Sequence, residues 1–349
     1  MKKLIFLLAL PLLFIFQSCD EEKSNKNDIL DYSIVSSSYA ELDVETKVIS
    51  AVEKKVFVAI SNTEIESIFP LSITPQIKIS AGAKINPPSG EPIEFNSPDD
   101  IINYEVTSED GSKKSWILQL VHKQIQNSDF QKWYTVNLTT SVGYKEVGLS
   151  GNTTLWASAN AGTSSYSVYN TLPYVQGEDT MVLIKTDEAG VIPIAAGTLF
   201  AGKFNLAGAI TNPTDPKKAT ALGIPYYWRP VSMKFLFKYT AGENYIKATL
   251  NDPGNLFGGF TETEEIGEDS CSVYAILEKR TDNVILEIGR ANFVSETTAD
   301  FAEQTINFVY SSSEIPTHIS IVFTSSKYGD FWTGAQGSEL IFDDLELIY

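Results

Sequence analysis

The sequence predicts an all-β protein built as a small β-sandwich followed by a larger jelly-roll β-sandwich. Three observations carry this. Helical periodicity is almost absent, and short runs of alternating apolar and polar residues recur instead, with Gly, Pro, Asn and Asp between them. A polar stretch at residues 123–129 divides the chain of 349 residues into a first part of about 95 residues and a second of about 220. Within the second part, Met233, Phe235, Phe237 and Tyr239 fall on one face of a run, while Lys234, Leu236 and Lys238 take the other. That is the pattern of an antiparallel sheet packed on one side and wet on the other. A domain of this size with long loops points to a jelly roll.

The chain opens on a basic start at Lys2 and Lys3, an apolar run over residues 4–16 and the small residue Ser18, the three parts of a secretory signal. The apolar run is too short to cross a bilayer core of ~30 Å as a permanent helix. The sequence Phe16-Gln17-Ser18-Cys19 resembles a relaxed lipobox. That resemblance implies cleavage after residue 18, acylation of Cys19 and anchoring in the outer membrane. The following Asp20-Glu21-Glu22 resembles the surface-export signal of some Gram-negative lipoproteins, which implies exposure at the cell surface. Residues 19–28 then read as a lipid-anchored linker.

The net charge is −18, from 26 basic and 44 acidic residues. Without a basic cluster to offset it, such a field repels phosphate backbones, so no nucleic-acid partner is expected. Anionic polysaccharides are disfavoured for the same reason, and neutral sugars are not. Once Cys19 carries lipid, Cys271 has no partner for an intramolecular disulfide, and core packing must supply the stability. Cys271 lies in the strand-like run Ser270-Cys271-Ser272-Val273-Tyr274-Ala275, which predicts a buried, inert thiol. The two histidines, His122 and His318, sit in no recognisable motif, which counts against a histidine-rich zinc site and a serine–histidine–acid triad.

In the first domain, residues 29–123, the strand runs include Val56-Phe57-Val58-Ala59-Ile60, Ile102-Asn103-Tyr104-Glu105-Val106 and Trp116-Ile117-Leu118-Gln119-Leu120. Between the last two, Asp110-Gly111 is a hairpin turn signal. Residues 77–90 and 102–120 resemble the Ig-like or cadherin-like modules that open many surface lipoproteins. The resemblance implies a spacer role.

The second domain, residues 129–349, continues the pattern through residues 181–184, 273–278, 319–323 and 340–348. Three stretches resemble the putative carbohydrate metabolism domain of exported β-sandwich lipoproteins. They are residues 195–204, residues 223–230 leading on to 243, and residues 323–340 closing on Asp343-Asp344-Leu345. The resemblance implies a carbohydrate ligand, a polysaccharide or glycoconjugate, and brings no catalytic residue with it. On the last strand Asp343 shares a face with Leu345 and Leu347. A carboxylate on a core face has to be paired or bind a cation. Asp-Asp endings in carbohydrate-binding jelly rolls contribute to calcium sites, so Asp343 is a candidate ligand of a structural calcium; a hydrogen bond to loop backbone is the competing reading.

Sugar binding calls for flat apolar platforms and polar groups that fix hydroxyls. Loop-like Pro, Gly and Ser around Trp228 and Trp332 predict partial exposure, and these are the first candidate platforms. Tyr227 is a second platform, Arg229 a hydrogen-bonding partner, and Trp156 a further ring in a polar context. Ordinary core packing is the competing reading for each ring. Hydrolysis would instead need two carboxylates about 5–10 Å apart across a cleft. Glu178, Asp179, Asp330 and Glu339 are the loop acids nearest aromatic residues, and no pair among them is singled out. The order of readings is glycan binding, then a structural or adhesive surface role, then glycoside hydrolysis.

Overall fold

The computed structural model describes residues 23–39, 47–51, 53–60, 68–98, 100–138, 143–150, 154–212, 214–281 and 284–349. The leader and Cys19 lie outside these residues. Among the described residues no helix is long and apolar enough to cross a membrane.

The first part of the chain forms two sheets. Strands Ile29–Ser37, Leu71–Ile79 and Ile93–Phe95 make a three-stranded sheet. Strands Lys47–Ser50, Lys55–Ile60, Lys113–His122, Ile101–Thr107 and Lys84–Asn86 make a five-stranded one. In Leu71–Ile79 the residues Leu71, Ile73 and Ile77 point inward and the polar ones outward, as period-2 alternation requires. The expected hairpin turn joins Ile101–Thr107 to Lys113–His122. Gly111 adopts φ +89° there, a conformation that costs glycine nothing, and Ser108 N–H donates to the Ser112 carbonyl.

Residues 24–28 do not behave as the free linker the sequence suggests. Asp110 N–H donates to the Ser24 carbonyl, Trp116 Nε1 donates to the Asn27 carbonyl at 3.3 Å, and Lys114 pairs with Asp28 at 2.5 Å. These polar residues find partners along the hairpin, and this holds the segment on the sandwich.

The second part is a larger two-sheet sandwich. One sheet runs in the order Thr171–Gln176, Asp179–Lys185, Glu339–Ile348, Ser232–Thr240, Ala302–Asn307. The other runs Trp156–Ser158, Thr198–Phe204, His318–Thr324, Cys271–Arg280, Ile285–Ser295, Val309–Tyr310. Phe323 from the second sheet stacks on Phe342 from the first, with centroids 3.9 Å apart. Phe235 meets Phe323 edge-on at 5.6 Å. Met233, Phe235, Phe237 and Tyr239 are all buried, which is the face their alternation assigns to the core. Cys271 is buried and free, and burial pushes its thiol up to about 12, out of the nucleophile range.

The two sandwiches share a seam. Strand Lys55–Ile60 is buried on both faces: Val56, Val58 and Ile60 enter the first core, while Phe57 and Ala59 enter the second. Residues 123–129, expected as a polar passage, are part of the same seam. Ile125 is buried in the second core. Gln124 Nε2 donates to the Leu347 carbonyl at 2.7 Å, and Leu347 N–H donates back to Gln124 Oε1 at 2.8 Å.

Candidate functional site

The residues Tyr226-Tyr227-Trp228-Arg229 build the seam and leave no open platform. Trp228 is 3% exposed, and its indole N–H donates to the His122 carbonyl at 3.0 Å. Tyr227 stacks on Phe57; burial, with Glu53 adding to it, pushes its phenol up to about 12. Arg229 lies over the Tyr310 ring at 4.0 Å and donates to the Glu314 and Ser312 carbonyls at 2.6 and 2.8 Å. Trp156 is buried too, edge-on to Phe130 at 5.3 Å, with its indole N–H on the Gln126 carbonyl. Partial exposure was expected for Trp228, and the seam removes it. Apolar rings with one polar handle are suited to such a place.

Trp332 is different. Strand His318–Thr324 ends at the buried Ser325 and Ser326, and the chain then swings out through the short 3-10 segment Gly329–Phe331. It returns as strand Thr333–Ala335 beside Tyr245–Leu250. Gly329 is required here, because a Cβ on it would sit 2.4 Å from the Ala196 Cβ. Trp332 takes φ +50°, its carbonyl accepts from Ala248 N–H at 2.9 Å, and Phe260 abuts its ring edge-on at 5.2 Å.

Trp332 is half-buried in the wall of a cleft of about 810 Å³, with Tyr328, Phe331, Tyr245, Lys217 and Asp330. Phe331 is 58% exposed and Tyr328 44%. Lys217 Nζ lies 4.6 Å from the Phe331 centroid and Lys327 Nζ 4.8 Å from that of Tyr328. Asp215 caps the 3-10 segment Pro216–Ala219 by accepting from Lys217 N–H, which fixes that segment at the cleft's edge. A second cleft of about 420 Å³ lies over the outer face of the larger sheet, between Tyr274, Ser272, Thr198 and Thr324. Lys217 and Asp330 line both, so the two clefts adjoin, and together they are called the groove.

Desolvation holds the Asp330 carboxyl above the usual range; Asp215 adds to this and Lys217 opposes it. Desolvation also raises the Tyr274 phenol, with Asp330 adding and Arg290 opposing. Glu178, Asp179 and Glu339 take no part in lining the groove; Asp179 instead accepts from Gln131 Nε2 at 2.5 Å. Lys217 and Tyr245 were not foreseen, because they come from distant segments. Tyr274 was readable: it alternates with Cys271, Val273 and Ala275 and so belongs on the wet face.

Asp343 is 1% exposed. Its Oδ1 accepts from Asp344 N–H at 2.8 Å, and its Oδ2 meets no hydrogen-bond partner among the described residues. Desolvation pushes the carboxyl up to about 7, with Asp344, Asp179 and Asp129 adding to the rise. Among the described residues no group of three or more His, Cys, Asp or Glu side chains could hold a metal. A cation at Asp343 would therefore draw most of its oxygen ligands from groups other than clustered carboxylates.

No curated protein matches the chain. A crystal structure described as a putative glycoside hydrolase from Bacteroides thetaiotaomicron is 25% identical, with a TM-score of 0.50, over 94% of this chain and 98% of that one. A second, described as a putative glycoside hydrolase from Bacteroides vulgatus, is 24% identical over 63% of this chain and 96% of its own, with a TM-score of 0.50, and shows the fold alone. Residues 34–119 match the family described as SGBP, N-terminal. Residues 124–348, more than half of the sequence, match the family described as putative carbohydrate metabolism domain, and the chain belongs to that family.

Proposed function

We propose that this protein is a cell-surface glycan-binding protein whose ligand lies in the groove around Trp332. The observation that carries the reading is the run Tyr328, Phe331, Trp332, three rings on one loop facing a cleft that continues over the outer sheet face. Ring faces take up the C–H faces of sugars, and Lys217, Asp330, Ser272, Thr198 and Thr324 offer donors and acceptors for hydroxyls. A ligand filling both clefts is a chain of sugars. The overall charge of −18 favours an uncharged one. The match of residues 34–119 to a surface glycan-binding protein domain supports the surface role.

Anchoring in the outer membrane through lipid on Cys19 belongs to the same proposal, and the lipobox-like Phe16-Gln17-Ser18-Cys19 supports it. Residues 24–28 dock at the start of strand Lys113–His122, and the seam with the second sandwich begins at its other end, where the His122 carbonyl meets Trp228. Ten residues of strand span about 33 Å. Strand His318–Thr324 starts next to Thr317, whose carbonyl accepts from Tyr226 N–H, and ends at the Trp332 loop. The contacts thus lead from residues 24–28 through the seam to the Trp332 loop. We also propose Asp343 as a ligand of a structural calcium, on the strength of its buried Oδ2, which meets no partner among the described residues. Calcium favours such hard oxygen ligands.

Affinity gels cast with a panel of neutral polysaccharides test the proposal. At least one glycan should retard the wild type and fail to retard Trp332→Ala. Equal mobility of the two proteins on every retarding glycan would remove the groove from the account. A second reading, hydrolysis, is favoured by Asp215, Glu265 and Asp330 in the cleft wall. It predicts reducing-sugar release from a bound glycan that Asp330→Asn abolishes.

A further inference from the structure

We infer that Asp269 is the positioning residue of the aromatic groove: one buried carboxylate closes the base of the loop that carries Tyr328, Asp330, Phe331 and Trp332. Asp269 sits just before strand Cys271–Arg280 and is 1% exposed. Its Oδ2 accepts from Ser326 Oγ at 2.5 Å on the outgoing side of the loop. On the returning side the same oxygen accepts from Ala335 N–H at 2.9 Å and Ser338 Oγ at 2.8 Å. Its Oδ1 accepts from Ser270 N–H at 2.8 Å. Four donors, three of them on one oxygen, offset part of the cost of burying this carboxyl, which desolvation still holds above its usual range.

The anchoring continues behind this residue. Ser326 Oγ also meets Thr186 Oγ at 2.5 Å, and Ser325 Oγ meets Thr186 Oγ at 2.8 Å. Lys327 N–H donates to the Ser270 carbonyl. Gly334 packs so closely on Ser326 that a Cβ there would lie 2.6 Å from its Oγ. Both ends of an eight-residue excursion, residues 327–334, are therefore tied to the start of one core strand, and the excursion itself carries the exposed rings. A recognition loop held at its base by buried hydrogen bonds keeps its rings in place before the ligand arrives, which lowers the ordering cost of binding.

The binding arm of the inference rests on the groove reading; the ordering arm does not. Hydrogen exchange across the whole protein, followed by mass spectrometry, is compared for wild type, Asp269→Asn and Phe331→Ala, alongside affinity for a glycan that retards the wild type. Asp269→Asn should raise exchange at least tenfold in residues 327–338, leave strands Ser232–Thr240 and Lys113–His122 unchanged, and weaken glycan affinity about tenfold. Phe331→Ala should leave exchange unchanged and lose affinity. Should Asp269→Asn fail to fold, Ser326→Ala and Ser338→Ala each remove one donor and should loosen the same segment to a smaller degree. Unchanged protection of residues 327–338 in the folded variants overturns the inference. If no glycan binds any of the proteins, the groove reading fails, and the exchange data still decide the role of Asp269.

Discussion

Phe57 lies flat on Tyr227, with ring centroids 3.7 Å apart and planes 16° from parallel. One ring comes from the smaller sandwich and the other from the larger. With Phe57 and Ala59 in the larger core and Val56, Val58 and Ile60 in the smaller, one six-residue strand serves two cores. The first sandwich is thus a fixed base for the second, where the resemblance to Ig-like modules implies only a spacer.

That relationship predicts cooperative unfolding. Truncating a buried Phe costs about 3–5 kcal/mol, and here the loss falls on the shared seam. Calorimetry should show one transition for the wild type and two separated transitions for Phe57→Ala. Two transitions in the wild type would mean that the seam does not couple the sandwiches.

Trp228 and Trp332 should respond in opposite ways. Trp228→Phe deletes the indole donor to the His122 carbonyl and leaves that group unsatisfied, a cost of about 1–3 kcal/mol. It should lower Tm and leave glycan affinity untouched. Trp332→Ala should lower affinity with a smaller change in Tm, because the ring is only half-buried. Matched titrations and melting curves on the two variants separate these outcomes.

Much of the fold is legible in the sequence, because alternation is a local signal. Met233, Phe235, Phe237 and Tyr239 show their face directly, and the Asp110-Gly111 turn marks its hairpin. The seam is not legible in this way. Tyr226-Tyr227-Trp228-Arg229 sits among Gly and Pro and reads as an exposed loop, yet its burial comes from Phe57 and His122, more than a hundred residues away. The Trp332 loop reads as partly exposed, and Phe331 and Tyr328 are exposed there, but the residues that make it a cleft with them, Lys217 and Tyr245, come from two other segments. Asp343 reads from the sequence as a carboxylate on a core face; that its Oδ2 meets no partner among the described residues appears only in three dimensions.

Two buried carboxyls predict the response to pH. Glu146, buried against Ser158, is pushed up to about 7 by desolvation, and Asp343 to about 7. Their folded values exceed the unfolded ones, so the folded state holds more protons between pH 4 and 7. Stability therefore falls as pH rises through that window, by about 3–4 kcal/mol for each group. In chelator, the urea midpoint should be higher at pH 5 than at pH 7.5, and Glu146→Gln with Asp343→Asn should flatten the difference. A midpoint that rises with pH would contradict the assignment.

The proposed calcium would act on one of these groups. If Asp343 ligates calcium, millimolar calcium should raise Tm by several degrees over chelator at pH 7.5, since a ligand bound only by the folded state stabilises it. Asp343→Asn should abolish the increment. Equal melting of the wild type in calcium and in chelator would leave Asp343 as a core carboxyl that binds no calcium.

The central claim is that rings on the Trp332 loop hold a sugar chain. The most direct measurement is isothermal titration of wild type and the folded double variant Phe331→Ala/Trp332→Ala with oligosaccharides of increasing length, cut from a retarding glycan. The account predicts wild-type affinity that rises with length until both clefts are filled. It predicts at least a hundredfold loss in the double variant, about 2.7 kcal/mol. Undiminished affinity in the double variant would contradict it.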